Sequence, residues 1–394
     1  MDKKVFWLIG TLGTLIIGLF IVGTVLAEKN SAQNVKQVPN TENQIINEVI
    51  VDPITKDSAL LEPIKVPHIK TPDSVRALYM SAWVASTPSM RDKIINLVDT
   101  TNINAVIIDI KDATGRVSFL VDDQVISETG SPRDLIKNVS DLIQTLHDKN
   151  IYVIGRISTF QDPFLTNIKP DWAIKTKSTD SVWKDKKGLS FLDPTNEHVW
   201  DYIVRLAQAS YDKGFDEINF DYIRFPSDGN IRDIAYPIAS ETKADALESF
   251  FKYLHEKMTA AGIPTSADLF GLTTEAVDDM GIGQILEKAL PYFDYISPMI
   301  YPSHYPPNYS NLKNPAEHPY TVVTIAMKKG VERATALGLD ASHFRPWIQD
   351  FDMGAKYTAT MVRDQIRALD EQGITSYMVW DPANSYTTDA YDKE

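Results

Sequence analysis

Cysteine is absent from the 394 residues. That excludes disulfides and thiolate chemistry, and a domain exported to an oxidising compartment would depend on its core alone. Basic runs are also missing: the 39 Lys and Arg are outnumbered by 53 Asp and Glu, for a net charge of −14. An acidic surface repels phosphate, so nucleic acid is excluded as a partner. Long apolar runs are absent too, with one exception. Val5 to Ala27 carries no charge, follows Lys3 and Lys4 and precedes Glu28 and Lys29. That length matches the roughly 20 residues of a transmembrane helix, and the preceding lysines favour a cytoplasmic N-terminus with everything after Ala27 outside. Val25-Leu26-Ala27 also has the small-x-small form of a cleavage site, so a secreted protein freed of its signal peptide is the alternative to a single-pass cell-membrane protein.

Residues 28–73 are polar and rich in Asn, Gln, Lys, Val and Pro, with no period that would mark a buried face. They read as a flexible extracytoplasmic linker, a stalk between an anchor at 1–27 and a domain at 74–394. From Val75 onward, short β-rich runs ending in polar residues alternate with longer amphipathic stretches, eight times over. The strands expected are Ala77 to Trp83, Ala105 to Lys111, Tyr152 to Ser158, Glu217 to Tyr222, Thr265 to Phe270, Tyr295 to Tyr301, Phe344 to Gln349 and Ser376 to Trp380. Between them, Ser131 to Asp148, Glu197 to Lys213, Lys243 to Ala261, Tyr320 to Leu337 and Thr358 to Gln372 read as helices, with Asn150, Gly214, Gly262, Gly338 and Gly373 as their stops. Alternation of this kind predicts the α/β class, with parallel strands joined by right-handed crossovers. Eight units fit a (β/α)8 TIM barrel.

A barrel of this type carries its chemistry at the C-terminal ends of its strands. The ends expected here hold Asp109 and Lys111, Arg156, Asp221 and Arg224, Asp268, Tyr301 and His304, Gln349 and Asp350, and Trp380 and Asp381. Converging carboxylates, arginines and rings make a polar cup with stacking faces, which suits a carbohydrate. Glycosidic cleavage needs two carboxyl groups, one protonating the leaving oxygen and the other attacking or activating water. Asp221, Asp268 and Asp350 are the candidates for that pair, and the remaining residues are candidate substrate ligands. Asp109, Asp112 and Asp381 can equally cap the helices that follow them. His304 has no second His or Cys at ligand spacing, so it is read as a substrate-binding or loop-bracing residue, and no metal or cofactor is called for. Trp347 is either core filling or a platform, whereas Trp380 lies at its strand's very end.

The stretches NAVIIDIKDATG, YVIGRISTFQDP, GFDEINFDYIRFP, SADLFG, ISPMIYPSHY, RPWIQDF and MVWDPANSY occur in that order, and the resemblance they carry runs from about Ala77 to Tyr386. Together they resemble a bacterial family of glycoside hydrolase domains of (β/α)8 type, known mostly from its sequences. The resemblance implies an O-glycosyl hydrolase and carries no settled substrate; the extracytoplasmic placement makes an envelope or extracellular glycan the expected one. By analogy with α-amylase and α-galactosidase relatives, the catalytic Asp at the end of strand four falls on Asp221. A non-catalytic carbohydrate-binding or scaffolding protein on the same fold is the alternative. The full-length chain is expected to fractionate with membranes, and Leu15→Arg to release it. A mature N-terminus at Glu28 would contradict the anchor.

Overall fold

The computed structural model describes residues 67–236, 238 and 242–391. The expected membrane span and most of the linker lie outside the described residues. No helix among the described residues is long and apolar enough to cross a membrane.

Eight parallel strands close into a barrel: β1 Arg76–Met80, β2 Ala105–Lys111, β3 Tyr152–Ser158, β4 Glu217–Asp221, β5 Thr265–Phe270, β6 Tyr295–Met299, β7 Trp347–Gln349 and β8 Tyr377–Trp380. Each pairs with its neighbours in chain order, and β1 closes the ring on β8. Helices α1 Pro88–Thr100, α2 Val139–His147, α3 Glu197–Tyr211, α4 Lys243–Ala261, α5 Leu286–Ala289, α6 Pro319–Ala336 and α7 Ala359–Asp370 make the crossovers. The fifth is a single turn. Among the described residues no α-helix follows β8, and a short turn at Thr388–Ala390 leads to the fully buried Tyr391. Local chemistry sets the helix ends. Thr242 and Asp245 form a reciprocal capping box at the start of α4, and Gly262 ends it at φ 69°, a left-handed conformation open to glycine at little cost.

Three expected boundaries shift by three residues or more, each for a local reason, and others move by one or two, the sixth strand ending at Met299 instead of Tyr301. β1 stops at Met80 because the Ser81 side chain accepts from Val84 N and caps a short helix, Ala82–Ser86, that takes Trp83 out of the strand. α2 starts at Val139 instead of Ser131, because the preceding backbone is spent on Val117 and Ser118: Val117 N donates to Ser131 O, and Ile136 N to Ser118 O. β7 keeps only its last three residues, since Pro346 has no N–H to offer the ladder.

Two apolar cores result, one between the sheet and its helices and one inside the barrel around Ala77, Ile107, Ile154 and Trp347. The barrel interior is unusually polar in its lower half. Arg345 donates to both carboxylate oxygens of Glu217 at 2.7 and 2.8 Å, Ser266 Oγ and Tyr152 Oη also donate to that carboxylate, and neither charged side chain has any exposed surface. Below this pair, residues 67–73, read above as the end of the linker, lie across the N-terminal end of the barrel. Ile69 packs on the interior core while its N–H donates to Asp216, Thr71 Oγ1 meets Tyr152 Oη at 2.9 Å, and His68 stacks on Tyr211 at 3.7 Å.

Removing one partner of a buried pair strands the other charge, whereas removing both with apolar groups does not. Arg345→Met is therefore expected to lower stability by about 3–5 kcal/mol, with much of the loss recovered in Arg345→Met/Glu217→Met. Urea unfolding of the two variants checks this, and a double variant no better than the single one would contradict it.

Candidate active site

The C-terminal end of the barrel is organised by strands β1 to β5. Asp109 and Arg156 stand opposite one another in the β2–β3 register, and Asp221 is the last residue of β4. Arg156 donates through one terminal nitrogen to Asp109 Oδ1 at 2.7 Å and through the other to Asp221 Oδ2, while its Nε lies 4.0 Å from Asp268 Oδ2. Tyr79 donates to the second oxygen of Asp109 at 2.5 Å. One guanidinium thus gathers three carboxyl groups from three strands, in a setting buried enough that each charge needs a partner.

The two carboxyl groups of β4 and β5 are held differently. Asp221 accepts from Arg156 and, at 2.5 Å, from the N–H of Tyr222. Tyr222 has φ 50°, a left-handed backbone that is rare for a bulky residue, and this turn carries its N–H onto the preceding carboxylate. Asp268 is 1% exposed; its Oδ1 accepts from Asn219 at 2.8 Å and from the Trp347 indole at 2.7 Å. Burial first, and then the negative charge of Asp221, hold the Asp268 carboxyl well above the usual range, Arg156 offsetting this only in part. With Oδ1 occupied by donors, Oδ2 is the oxygen left to carry the proton. Burial also lifts Asp109.

Around this cluster stand the rings. Trp380 stacks on Tyr79 at 4.2 Å, edge-on to Trp347, with the Arg156 guanidinium 5.4 Å from its ring. Tyr301 belongs to the interior core with Trp347 and Phe351, and is raised well above its ordinary value by burial and then by the charges of Asp268 and Asp221. His304 sits edge-on to Tyr301 and shares a hydrogen bond with Ser303 Oγ at 3.0 Å; burial lowers it to about 4, so it is neutral at physiological pH.

Several expected residues are committed elsewhere. A bulge after Asp109 shifts the β2–β3 register, so Lys111 leaves the barrel interior and points outward, fully buried, to Asp162 at 2.7 Å. Asp350 accepts from Thr387 N, Thr387 Oγ1 and Tyr391 Oη, which pins the C-terminal segment and keeps it out of the carboxyl cluster. Gln349 bridges Ser303 N and Phe351 O and braces two loops. Asp381 accepts from Ala383 N in the turn after β8, and burial raises it to about 7. Arg156 has both terminal nitrogens taken by carboxylates, so it orients the cluster. Tyr79, Asn219 and Tyr222 were not anticipated as site residues. The first two betray themselves only by sharing the inward parity of Ala77 and Asp221 on their strands.

The family model for a putative glycosyl hydrolase domain matches residues 77–386. The chain belongs to this family. Among solved structures, it is similar to the PgaB (BpsB) glycoside hydrolase domain from Bordetella bronchiseptica, at 12% identity and a TM-score of 0.58, over 82% of this chain and 99% of that one. It is also similar to the catalytic domain of a β-amylase from Paenibacillus polymyxa, at 12% identity and a TM-score of 0.51, over 82% and 95%. At those identities the likeness is one of fold, the (β/α)8 barrel. A hypothetical protein from Ruminiclostridium thermocellum is 33% identical over 52% of this chain and 98% of its own, with a TM-score of 0.46. No functionally curated protein matches.

In this glycosyl hydrolase domain the raised Asp268 has a consequence for stability. The native state holds a proton that the unfolded chain releases above about pH 4. The resulting stabilisation is full below that pH and is lost as pH rises through the higher native value. Asp268→Asn is expected to flatten the fall in melting temperature with rising pH; a variant with the wild-type slope would contradict the assignment.

Proposed function

We propose that the domain hydrolyses O-glycosidic bonds, with Asp268 as the acid and Asp221 as its carboxylate partner. The observation that carries this reading is the pairing of two carboxyl groups beside one guanidinium, one bound only by donors and the other driven towards its protonated form by burial and by the first. Glycosidic cleavage needs that division of labour. The Asp268 proton passes to the leaving oxygen as the bond to the anomeric carbon breaks, and Asp221 attacks that carbon or removes a proton from the incoming water. Family membership supports the reaction class.

The substrate surface would be formed by Trp380, Tyr301 and the rings beside Arg224, with apolar sugar faces on the rings. We read the substrate as an envelope or extracellular glycan, and the protein as held at the membrane by Val5 to Ala27, on the strength of that uncharged run and its flanking lysines. A cysteine-free domain is compatible with that location.

Release of reducing ends from a panel of glycans by the full chain in detergent tests the reaction. Asp221→Asn and Asp268→Asn are each expected to lower kcat by about 10²–10⁴-fold, with melting temperatures close to wild type at neutral pH. Activity is expected to decline as pH rises through the raised value of Asp268. Turnover unchanged in either variant, or a loss explained wholly by unfolding, would remove that residue from the mechanism.

A further inference from the structure

Four cations are buried among the described residues: Lys111, Arg156, Arg224 and Arg345. Three of them have a carboxylate within 3 Å: Lys111 has Asp162, Arg156 has Asp109 and Asp221, and Arg345 has Glu217. Arg224 does not. It is 8% exposed and stands three residues beyond Asp221, with no carboxylate within 4.0 Å among the described residues. Its one hydrogen bond there runs from a terminal nitrogen to Phe225 O at 3.0 Å. The guanidinium is walled by Phe270 at 4.8 Å, Tyr222 at 5.3 Å and Phe191 at 5.9 Å, measured to the ring centroids. These rings come from the end of β5, the turn after β4 and the loop after β3, so the cation sits on the β3–β5 side of the mouth beside the carboxyl cluster.

Asp221, Asp228 and Asp185 lie near enough to favour the charge, but each is at longer range. One oxygen of Asp185, Oδ1, accepts from the N–H groups of Lys187 and Leu189, both at 2.8 Å. The remaining nitrogens of Arg224 have no hydrogen bond among the described residues and are not sealed from solvent. Desolvating a guanidinium without a counter-charge is unfavourable, and a bound anion offsets that cost through charge-assisted, bidentate hydrogen bonds. A neutral hydroxyl cannot supply the charge.

Building on the hydrolase reading, we propose that Arg224 recognises a carboxylate on the sugar, so that the substrate is an acidic glycan containing uronic acid or another carboxylated unit. The aromatic wall takes the apolar face of that unit while the planar fork takes its carboxylate. The acidic balance of the chain is consistent with one dedicated cation, because a broad basic surface would bind polyanions without regard to sugar structure.

Matched oligosaccharide pairs that differ only in the carboxylate, such as oligoglucuronates with their neutral glucose counterparts and oligogalacturonates with galacto-oligosaccharides, test this by calorimetry on the Asp221→Asn chain. The acidic member of at least one pair is expected to bind about tenfold tighter, the effect of one charge-assisted contact. Adding Arg224→Met should make the two members bind alike. Arg224→Met alone should leave the melting temperature unchanged or higher, since it removes an uncompensated buried charge; a lowered one would mark Arg224 as structural and overturn the proposal. Neutral sugars binding as well as acidic ones, or a preference that survives Arg224→Met, would also overturn it while leaving the hydrolase reading intact. Binding of neither member in any pair would count against both. Sulfated counterparts that bind as tightly as the uronates would replace carboxylate recognition with general anion binding.

Discussion

The Arg156 guanidinium is the constraint on which the site depends. Its two terminal nitrogens are shared between Asp109 and Asp221, and its Nε is turned toward Asp268 at 4.0 Å. Buried carboxylates persist only when donors replace the water they have lost, so the positions of β2, β4 and β5 are tied to one side chain on β3. The supply of donors is unequal. Asp109 and Asp221 receive charged hydrogen bonds, whereas Asp268 receives neutral ones from Asn219 and Trp347 and meets the guanidinium only at longer range. That inequality separates the two carboxyl groups chemically, although both come from adjacent strands of one barrel.

The same logic runs down the barrel axis. Below the site, Glu217 and Arg345 cross the interior as a sealed pair, and Asp216 at the lower end accepts from Ile69 N, Val153 N and His147. The Glu217 carboxylate and the Asp216 carboxylate each accept several hydrogen bonds from other segments, which ties strand register where apolar filling alone would leave it looser. A rigid lower barrel leaves the variable geometry to the loops above. There the left-handed turn at Tyr222 and the bulge after Asp109 each redirect one group: a backbone N–H toward Asp221, and Lys111 away from the cup.

The fold was legible because its signals are local. Strand alternation, glycine and asparagine stops, and capping residues all act within a few positions, and α4 runs from Lys243 to Ala261 as its sequence predicts. Asp221, Asp268 and Trp380 were legible as residues near strand ends for the same reason, while Tyr301 lies two residues past the end of its strand at Met299. What was not legible depends on contacts between distant segments. Nothing near Asp350 in sequence announces that Thr387 and Tyr391 will occupy its oxygens, and nothing near Lys111 announces a one-residue bulge. Glu217 and Arg345 lie 128 positions apart. Their pairing emerges only when the barrel closes.

The central claim is that burial first, and then the charge of Asp221 beside it, keep the proton on Asp268, and carboxyl-carbon NMR of the aspartate-labelled domain tests it most directly. The account predicts a buried carboxyl resonance that titrates well above the ordinary aspartate range, disappears in Asp268→Asn, and moves to lower pH in Asp221→Asn, where the like charge is gone. An Asp268 resonance that titrates with the exposed aspartates, or one indifferent to Asp221→Asn, would contradict it.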